Sequence, residues 1–364
     1  MIRYHGYPVE VYQVETDDGY ILTVQRIPHG KSGLGTQARK PVLIQHGFAT
    51  SSPAWVVNTP PQNLPYILAD VGYDVWLGNV RGSSFGYNHT HLSTKDKQFW
   101  QFSFDEMAKY DIPAVIQKML NVTGFKQIHY IGHSMGTTIL FALLSTQPKY
   151  NEIIKAGFAL GPVISTRHSK GLLADAGIFY PEFHWLIDLL YNGQLKVNRI
   201  FIQFLARTLC NCPSRVLCEQ LIFRITGPDY SQTNTTRYPV YFYHVPDSTS
   251  GQTMTHYYQL KYSKGFQYYD YGKAGNLKHY NTTEPPSYNL SRISAPVALF
   301  WSSNDYLADP KDVAALAPQL RNVPLIYRVP FDQFNHLDFM WAIDAKSLLY
   351  DKLITVMAKL WPNL

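Results

Sequence analysis

The sequence predicts an α/β fold, a mostly parallel sheet with helices on both faces. Three observations predict it. An apolar run over residues 127–131 passes through Gly132-His133-Ser134-Met135-Gly136 straight into an apolar helical run, residues 137–145. An amphipathic helix precedes that run, with Ile112, Val115, Ile116, Met119 and Leu120 at helical spacing, so the local order is strand, helix, strand. Short buried-strand patterns then return late in the chain, at residues 296–301 and 325–329. Parallel neighbours need crossovers that cover the sheet, and this order supplies them.

Taken from the start, residues 9–16 and 20–27 are β-rich runs joined through Asp17-Asp18-Gly19, a hairpin signal because a tight turn needs residues that tolerate positive φ. A polar linker leads to a buried strand at residues 41–45, which ends in His46-Gly47-Phe48, and residues 73–77 make the next strand. Ser103-Phe104-Asp105-Glu106 fits a capping box and starts the amphipathic helix. From about residue 165 to 289 the alternation breaks. Two amphipathic helical stretches come first, at residues 171–191 and 197–209, the second with Val197, Ile200, Phe201, Phe204 and Leu205 on one face. A cysteine cluster and a tyrosine-rich region follow. This reads as an insertion dividing the fold into a core, residues 1–164, a cap and lid, 165–289, and the rest of the core, 290–364. The apolar face of the second stretch is expected to lie on the catalytic mouth in water and to turn outward at a lipid surface. The closing helix carries Leu349, Leu353, Val356, Met357 and Leu360 on one side.

The composition narrows the function classes. With 46% hydrophobic and 16% charged residues the chain is globular rather than disordered. A net charge of +6 without basic runs gives nucleic-acid binding no support. No apolar run reaches the roughly 18 residues that span a bilayer. Five glycosylation sequons, at Asn88, Asn121, Asn234, Asn281 and Asn289, point toward the secretory pathway. Cys210, Cys212 and Cys218 permit one local disulfide and one spare thiol, and no histidine at ligand spacing suggests a metal. No cofactor is expected.

The pattern around Ser134 carries the chemistry. A G-x-S-x-G turn between strand and helix is a nucleophile elbow, which exposes the serine Oγ near a helix N-terminus. Gly82-Ser83-Ser84-Phe85-Gly86 matches the same pattern but runs into a polar stretch with no helical period, so Ser84 reads as a loop serine. A serine needs a base, and the base needs a carboxylate to hold its tautomer. In this architecture they follow on loops after late strands, where Asp305 and then His336 stand. Asp309 and Asp312 lie further on and fit a helix cap, and Asp338 belongs to the next helix. The oxyanion donors expected are the main-chain N–H groups of Phe48 and Met135.

These residues resemble the animal acid lipases, the gastric and lysosomal lipase family, over nearly the whole chain. The matches include Gly6-Tyr7-Pro8, Asp18-Gly19-Tyr20, Gln45-His46-Gly47, residues 68–79 (LADVGYDVWLGN), 102–111 (FSFDEMAKYD), Gly132-His133-Ser134, 305–310 (DYLADP) and 335–339 (NHLDF). The resemblance implies an α/β-hydrolase fold with a helical cap and movable lid. It implies hydrolysis of triacylglycerols, and of steryl esters, through an acyl-enzyme on Ser134, Asp305 and His336. It also implies a secreted or lysosomal glycoprotein, whose mature start the beginning of this chain resembles. The expected partner is neutral lipid at an emulsion or membrane surface, and the expected state is a monomer. One disulfide is implied from Cys218 to Cys210 or Cys212, the Cys210 spacing being closer to the family's. Met135 stands where mammalian members usually have glutamine, which leaves a backbone donor without an added polar contact. Two rival readings are an esterase of soluble short-chain esters and a non-enzymatic lipid-binding protein on the same fold; the complete triad argues against the second.

Overall fold

The computed structural model describes residues 1–36, 38–176, 193–210 and 215–362. The hairpin expected near the start is present: β1 (Glu10–Glu15) pairs antiparallel with β2 (Tyr20–Ile27), and Gly19 takes φ 95° in the turn. Next come β3 (Pro41–Gln45), β4 (Asp74–Leu77), the short β5 (Asn88–His89), β6 (Ile128–His133) and β7 (Ile154–Leu160). A small pair, β8 (Gln194–Leu195) with β9 (Thr249–Ser250), sits apart, and β10 (Val297–Trp301) and β11 (Ile326–Arg328) complete the sheet. The order is β1-β2-β4-β3-β6-β7-β10-β11, with β5 on β2, and every pairing from β4 to β11 along that path is parallel.

Both faces are buried, which is why the central strands read as apolar runs rather than alternating ones. In β10, Val297 and Leu299 join one core while Ala298 and Phe300 join the other. The first core takes Ile112, Val115, Ile116 and Met119 of the Ile112–Thr123 helix. The second takes Leu349, Leu353 and Met357 around the closing Asp351–Leu360 helix. The sequence reading passed over β7 and the helix Leu64–Asp70, whose short apolar runs carry no period of their own.

All strands of the large sheet lie before residue 161 or after 296, and the chain between them is mainly helical. The first amphipathic stretch is described only as the helix Gly171–Ala176; its remainder lies outside the described residues. The second forms the helix Arg199–Leu209, but its orientation corrects the expectation. Ile200 is 82% exposed, Phe201 55% and Phe204 61%, so that face meets solvent and does not cover the catalytic mouth. The buried side of the helix carries Ala206 and Cys210, and packs against the Tyr238–His244 helix. The small Ala206 permits close approach there, while the Arg199–Asp247 ion pair (2.8 Å) fixes the helix start. Cys210 is bonded to Cys218 of the Arg215–Thr226 helix; Cys212 lies outside the described residues.

The insertion is anchored on the capping box that the sequence reading identified. Ser103 and Glu106 cap each other's backbone, and Asp105 accepts hydrogen bonds from Tyr288 Oη and Tyr269 N–H. His256 stacks on Phe104 with ring centroids 3.9 Å apart. Burial pushes the Asp105 and Glu106 carboxyls up, and for Glu106 the Asp105 charge adds to the effect. A carboxyl raised in the folded state binds a proton that the unfolded chain has already lost, so stability declines as pH rises through the raised value. Thermal midpoints are therefore expected to fall from about pH 5 to about pH 8. Asp105→Asn, whose amide oxygen can still accept from Tyr269 N–H, should flatten the decline. An equally steep decline in this variant, measured by circular dichroism melts, would contradict the assignment.

Candidate active site

The elbow forms because no side chain stands in its way. A Cβ on Gly132 would lie 2.6 Å from the Gly136 carbonyl, and one on Gly136 would lie 2.6 Å from the Gln45 oxygen. With both absent, the helix Met135–Thr146 starts directly behind β6. Ser134 is left at φ 53°, ψ −117°, a conformation costly for any residue but glycine. Four bonds hold it there: Ser134 N–H to Leu160 O (3.0 Å), and to Ser134 O from Thr137 N–H (2.8 Å), Thr137 Oγ1 (2.7 Å) and Thr138 N–H (3.4 Å). Tyr130 Oη donates to Gly136 O (2.8 Å) and braces the helix start.

Beyond β3 the chain passes close to the serine. A Cβ on Gly47 would lie 3.0 Å from Ser134 Cβ, so only glycine allows the Phe48 backbone this near. From the other side come the loops after β10 and β11. His336 Nδ1 lies 2.9 and 2.8 Å from the two Asp305 oxygens, and both residues are buried. Asp305 Oδ1 also accepts from Leu307 N–H (2.9 Å) and Ala308 N–H (2.8 Å), which fixes the carboxylate in its loop. With Asp305 accepting at Nδ1, that nitrogen carries the proton and Nε2 is left as the basic site. The His336 ring lies against His133, the residue before Ser134, with centroids 4.7 Å apart, and His133 Nε2 is 2.9 Å from His336 O. Burial, then the neighbouring His336, holds the His133 imidazole well below its usual pKa, so it stays neutral.

The rival carboxylates are occupied elsewhere. Asp309 caps the Pro310–Leu316 helix through Lys311 N–H (2.9 Å) and pairs with Lys170 (2.9 Å). Asp312 binds His168 (2.8 Å), and Asp338 accepts from Asn335 N–H (2.6 Å). The decoy Ser84 donates to Asp247 Oδ2 (2.7 Å) and accepts from Arg199 (3.1 Å), in a surface network with no imidazole among its partners.

Ser134 and Phe48 open on an apolar cavity of about 130 Å3, lined also by Val163, Leu173, Met254, Tyr257 and Leu307. Tyr257 crosses its roof, edge-on to Phe48 with centroids 5.8 Å apart, and donates to Thr138 Oγ1 (3.0 Å). The sequence reading missed Met254 and Tyr257, because the Gly251–Tyr262 helix has no apolar stripe; the local density of tyrosines was the only signal. Among the described residues no cluster could hold a metal ion.

The alpha/beta hydrolase fold signature matches residues 40–343, and a partial alpha/beta-hydrolase lipase region matches residues 1–59. The chain is 42% identical to the gastric triacylglycerol lipase of Bos taurus over 363 residues, covering 99% of this chain and 90% of that one. The chain belongs to the gastric and lysosomal acid lipase family. It is 41% identical to the human lysosomal acid lipase/cholesteryl ester hydrolase, covering 99% of this chain and 90% of the relative. Across a greater distance, an Exiguobacterium antarcticum esterase shares the fold with TM-score 0.54 at 13% identity, covering 95% of this chain and 99% of that one. The elbow geometry makes a direct demand on its glycines. Gly132→Ala should cost about 1–3 kcal/mol or more by overpacking. Gly265→Ala, with nothing within 4 Å of the added Cβ, should stay within about 0.5 kcal/mol. Urea unfolding of the two variants checks this.

Proposed function

We propose that this chain is a serine hydrolase of neutral-lipid esters, acting on triacylglycerols and steryl esters through Ser134, His336 and Asp305. The observation that carries the reading is the buried Asp305–His336 pair, set against the residue preceding a strained serine that opens on an apolar cavity. Ser134 Oγ attacks the ester carbon while His336 Nε2 takes its proton, and Asp305 stabilises the imidazolium that results. The oxyanion is met by the N–H groups of Phe48 and Met135, the latter at a helix N-terminus where negative charge is favoured. The imidazolium then protonates the departing alcohol, and water repeats the sequence on the acyl-enzyme. Every member comes from one chain, so a monomer suffices.

Residues 1–164 and 290–364 act as the core and 165–289 as the cap in this reading. The cavity holds about 130 Å3, so a long acyl chain needs the helices Gly171–Ala176 and Gly251–Tyr262 to part. That size is the one observation favouring short soluble esters. Against it stands the apolar surface of the helices joined by the disulfide, where Ile200, Phe201, Phe204, Val216, Leu217 and Leu221 are all exposed. A surface of this kind suits contact with lipid. No helix among the described residues is long and apolar enough to cross a membrane. Passage through the secretory pathway is supported by the disulfide and by exposed Asn88, Asn121, Asn281 and Asn289, with Asn234 half-buried. A glycosidase-sensitive mass on the purified protein tests this.

Ser134→Ala is expected to lower kcat by roughly 10⁴-fold or more, and Asp305→Asn by several orders of magnitude, while Ser84→Ala changes little. Phosphonate labelling of Ser84 in place of Ser134, read by mass spectrometry, would overturn the assignment. Phe201→Asp with Phe204→Asp should reduce activity on a long-chain emulsion far more than on a short soluble ester. Equal losses on the two substrates would count against an interfacial role.

A further inference from the structure

The two main-chain donors expected to meet the oxyanion stand in unlike surroundings. Met135 N–H is fixed by the helix that it starts. Phe48 N–H lies in a loop, and the next residue, Ala49, takes φ 49°, a left-handed conformation that is costly for a residue with a Cβ. Thr50 Oγ1 donates to Gly47 O (3.0 Å) across this turn. From outside the loop, Asp247 N–H donates to Ala49 O (2.7 Å). Phe48 N–H itself has no partner among the described residues, so it is available to a ligand.

Asp247 is only 1% exposed, and the bonds on its carboxylate fix its place. Oδ1 accepts from Ser248 N–H (2.8 Å) and Arg199 Nη2 (2.8 Å). Oδ2 accepts from Ser84 N–H (3.2 Å) and Ser84 Oγ (2.7 Å). Four donors, one of them a guanidinium, leave the buried side chain a single position. They come from two directions, Ser84 from the loop after β4 and Arg199 from the start of the Arg199–Leu209 helix. The chain just past Asp247 is held as well, because Thr249 and Ser250 of β9 pair with Leu195 and Gln194 of β8. Ser250 then caps the Gly251–Tyr262 helix, whose Tyr257 ring meets the Phe48 ring. The Asp247 N–H is thus aimed at Ala49 O by a set of bonds that it cannot leave singly.

We propose that Asp247 is a positioning residue for the Phe48 N–H. The peptide between Gly47 and Phe48 is planar, so its N–H points opposite to Gly47 O. The left-handed turn at Ala49 brings Thr50 back to that oxygen, and the Asp247 N–H holds the turn by its carbonyl. When Asp247 is released, Ala49 can leave its costly φ, Thr50 withdraws from Gly47 O, and the Phe48 N–H turns away from the oxyanion. The apolar cavity that receives the substrate is untouched by this change, so turnover falls while substrate binding is kept.

The inference rests on Ser134 as nucleophile and Phe48 N–H as oxyanion donor, and the experiment keeps the two levels apart. In Asp247→Asn one oxygen becomes an NH2 group, so either Arg199 and Ser248 or Ser84 faces a donor that it cannot bond. On a short soluble ester, kcat should fall about 10-fold or more, below the roughly 10²–10³ that loss of a whole oxyanion donor costs. KM should change by less than about twofold. An aryl boronic acid, which forms a tetrahedral anion on the serine, should lose affinity in parallel with kcat. Glycine adopts positive φ readily, so Asp247→Asn should cost less when combined with Ala49→Gly than by itself, a coupling that a general loss of structure does not produce. If Asp247→Asn does not fold, Arg199→Gln removes the charged donor and should give a smaller fall of the same kind. Ser84→Ala leaves three donors on the carboxylate, which agrees with the small effect expected of it. Unchanged kcat, a loss carried wholly by KM, unchanged boronate affinity while kcat falls, or equal losses with and without Ala49→Gly would each overturn the positioning role. Boronate bound as tightly by Ser134→Ala as by the wild type would instead defeat the active-site reading itself.

Discussion

The structure depends on one close approach, that of the helix Met135–Thr146 to the end of β6 and the loop after β3. Backbone meets backbone there, at Gly132 against Gly136 and Gly136 against Gln45, with no room for a Cβ. The tightness forces Ser134 into its unfavourable φ and lifts its side chain into the space above the sheet. It also brings Gly47 beside Ser134, so the same packing that positions the serine positions a backbone donor next to it. The strain is local, and the buried sheet and two cores around it supply the rigidity that keeps it from relaxing.

What stands above the sheet is less a separate lid than a set of segments pinned to the loops that carry Asp305 and His336. The entry to the insertion is tied down by Lys170 on Asp309 and by His168 and Ser165 on Asp312, just past Asp305. Its middle is strapped to Asn304 and Asn335 through residues 226–229. Its end is anchored by Tyr269 and Tyr288 on Asp105. The outward face of Arg199–Leu209 fits that arrangement. With Ala206 and Cys210 used for packing and Arg199 held by Asp247, the bulky Ile200, Phe201 and Phe204 have only the solvent side left.

Charge is handled differently at the several buried acids. Asp111 and Asp18 share the buried Arg81; the guanidinium holds Asp18 below its usual value, while burial still pushes the Asp111 carboxyl up to about 6. Asp305 has His336 and two backbone donors. Asp105 and Asp338 have no such cation, and burial raises both; burial also raises Glu106, against the pull of Arg81. Of these, Asp105 joins insertion to core, through Tyr269 and Tyr288.

Much of this was legible in the residues. The elbow, the parallel sheet, the capping box and the order serine, aspartate, histidine are set by local chemistry: glycine where backbones touch, apolar runs where both faces are buried, a polar loop after each late strand. Those signals are short-range, and they hold wherever the chain is placed in space. Orientation across long distances was not legible. An amphipathic helix shows that it has an apolar side but not what that side meets, and only the packing of Ala206 and Cys210 against the Tyr238–His244 helix decided that Phe201 and Phe204 face water. The partner of Cys218 was decided likewise by which thiol the Arg199–Leu209 helix brings to it.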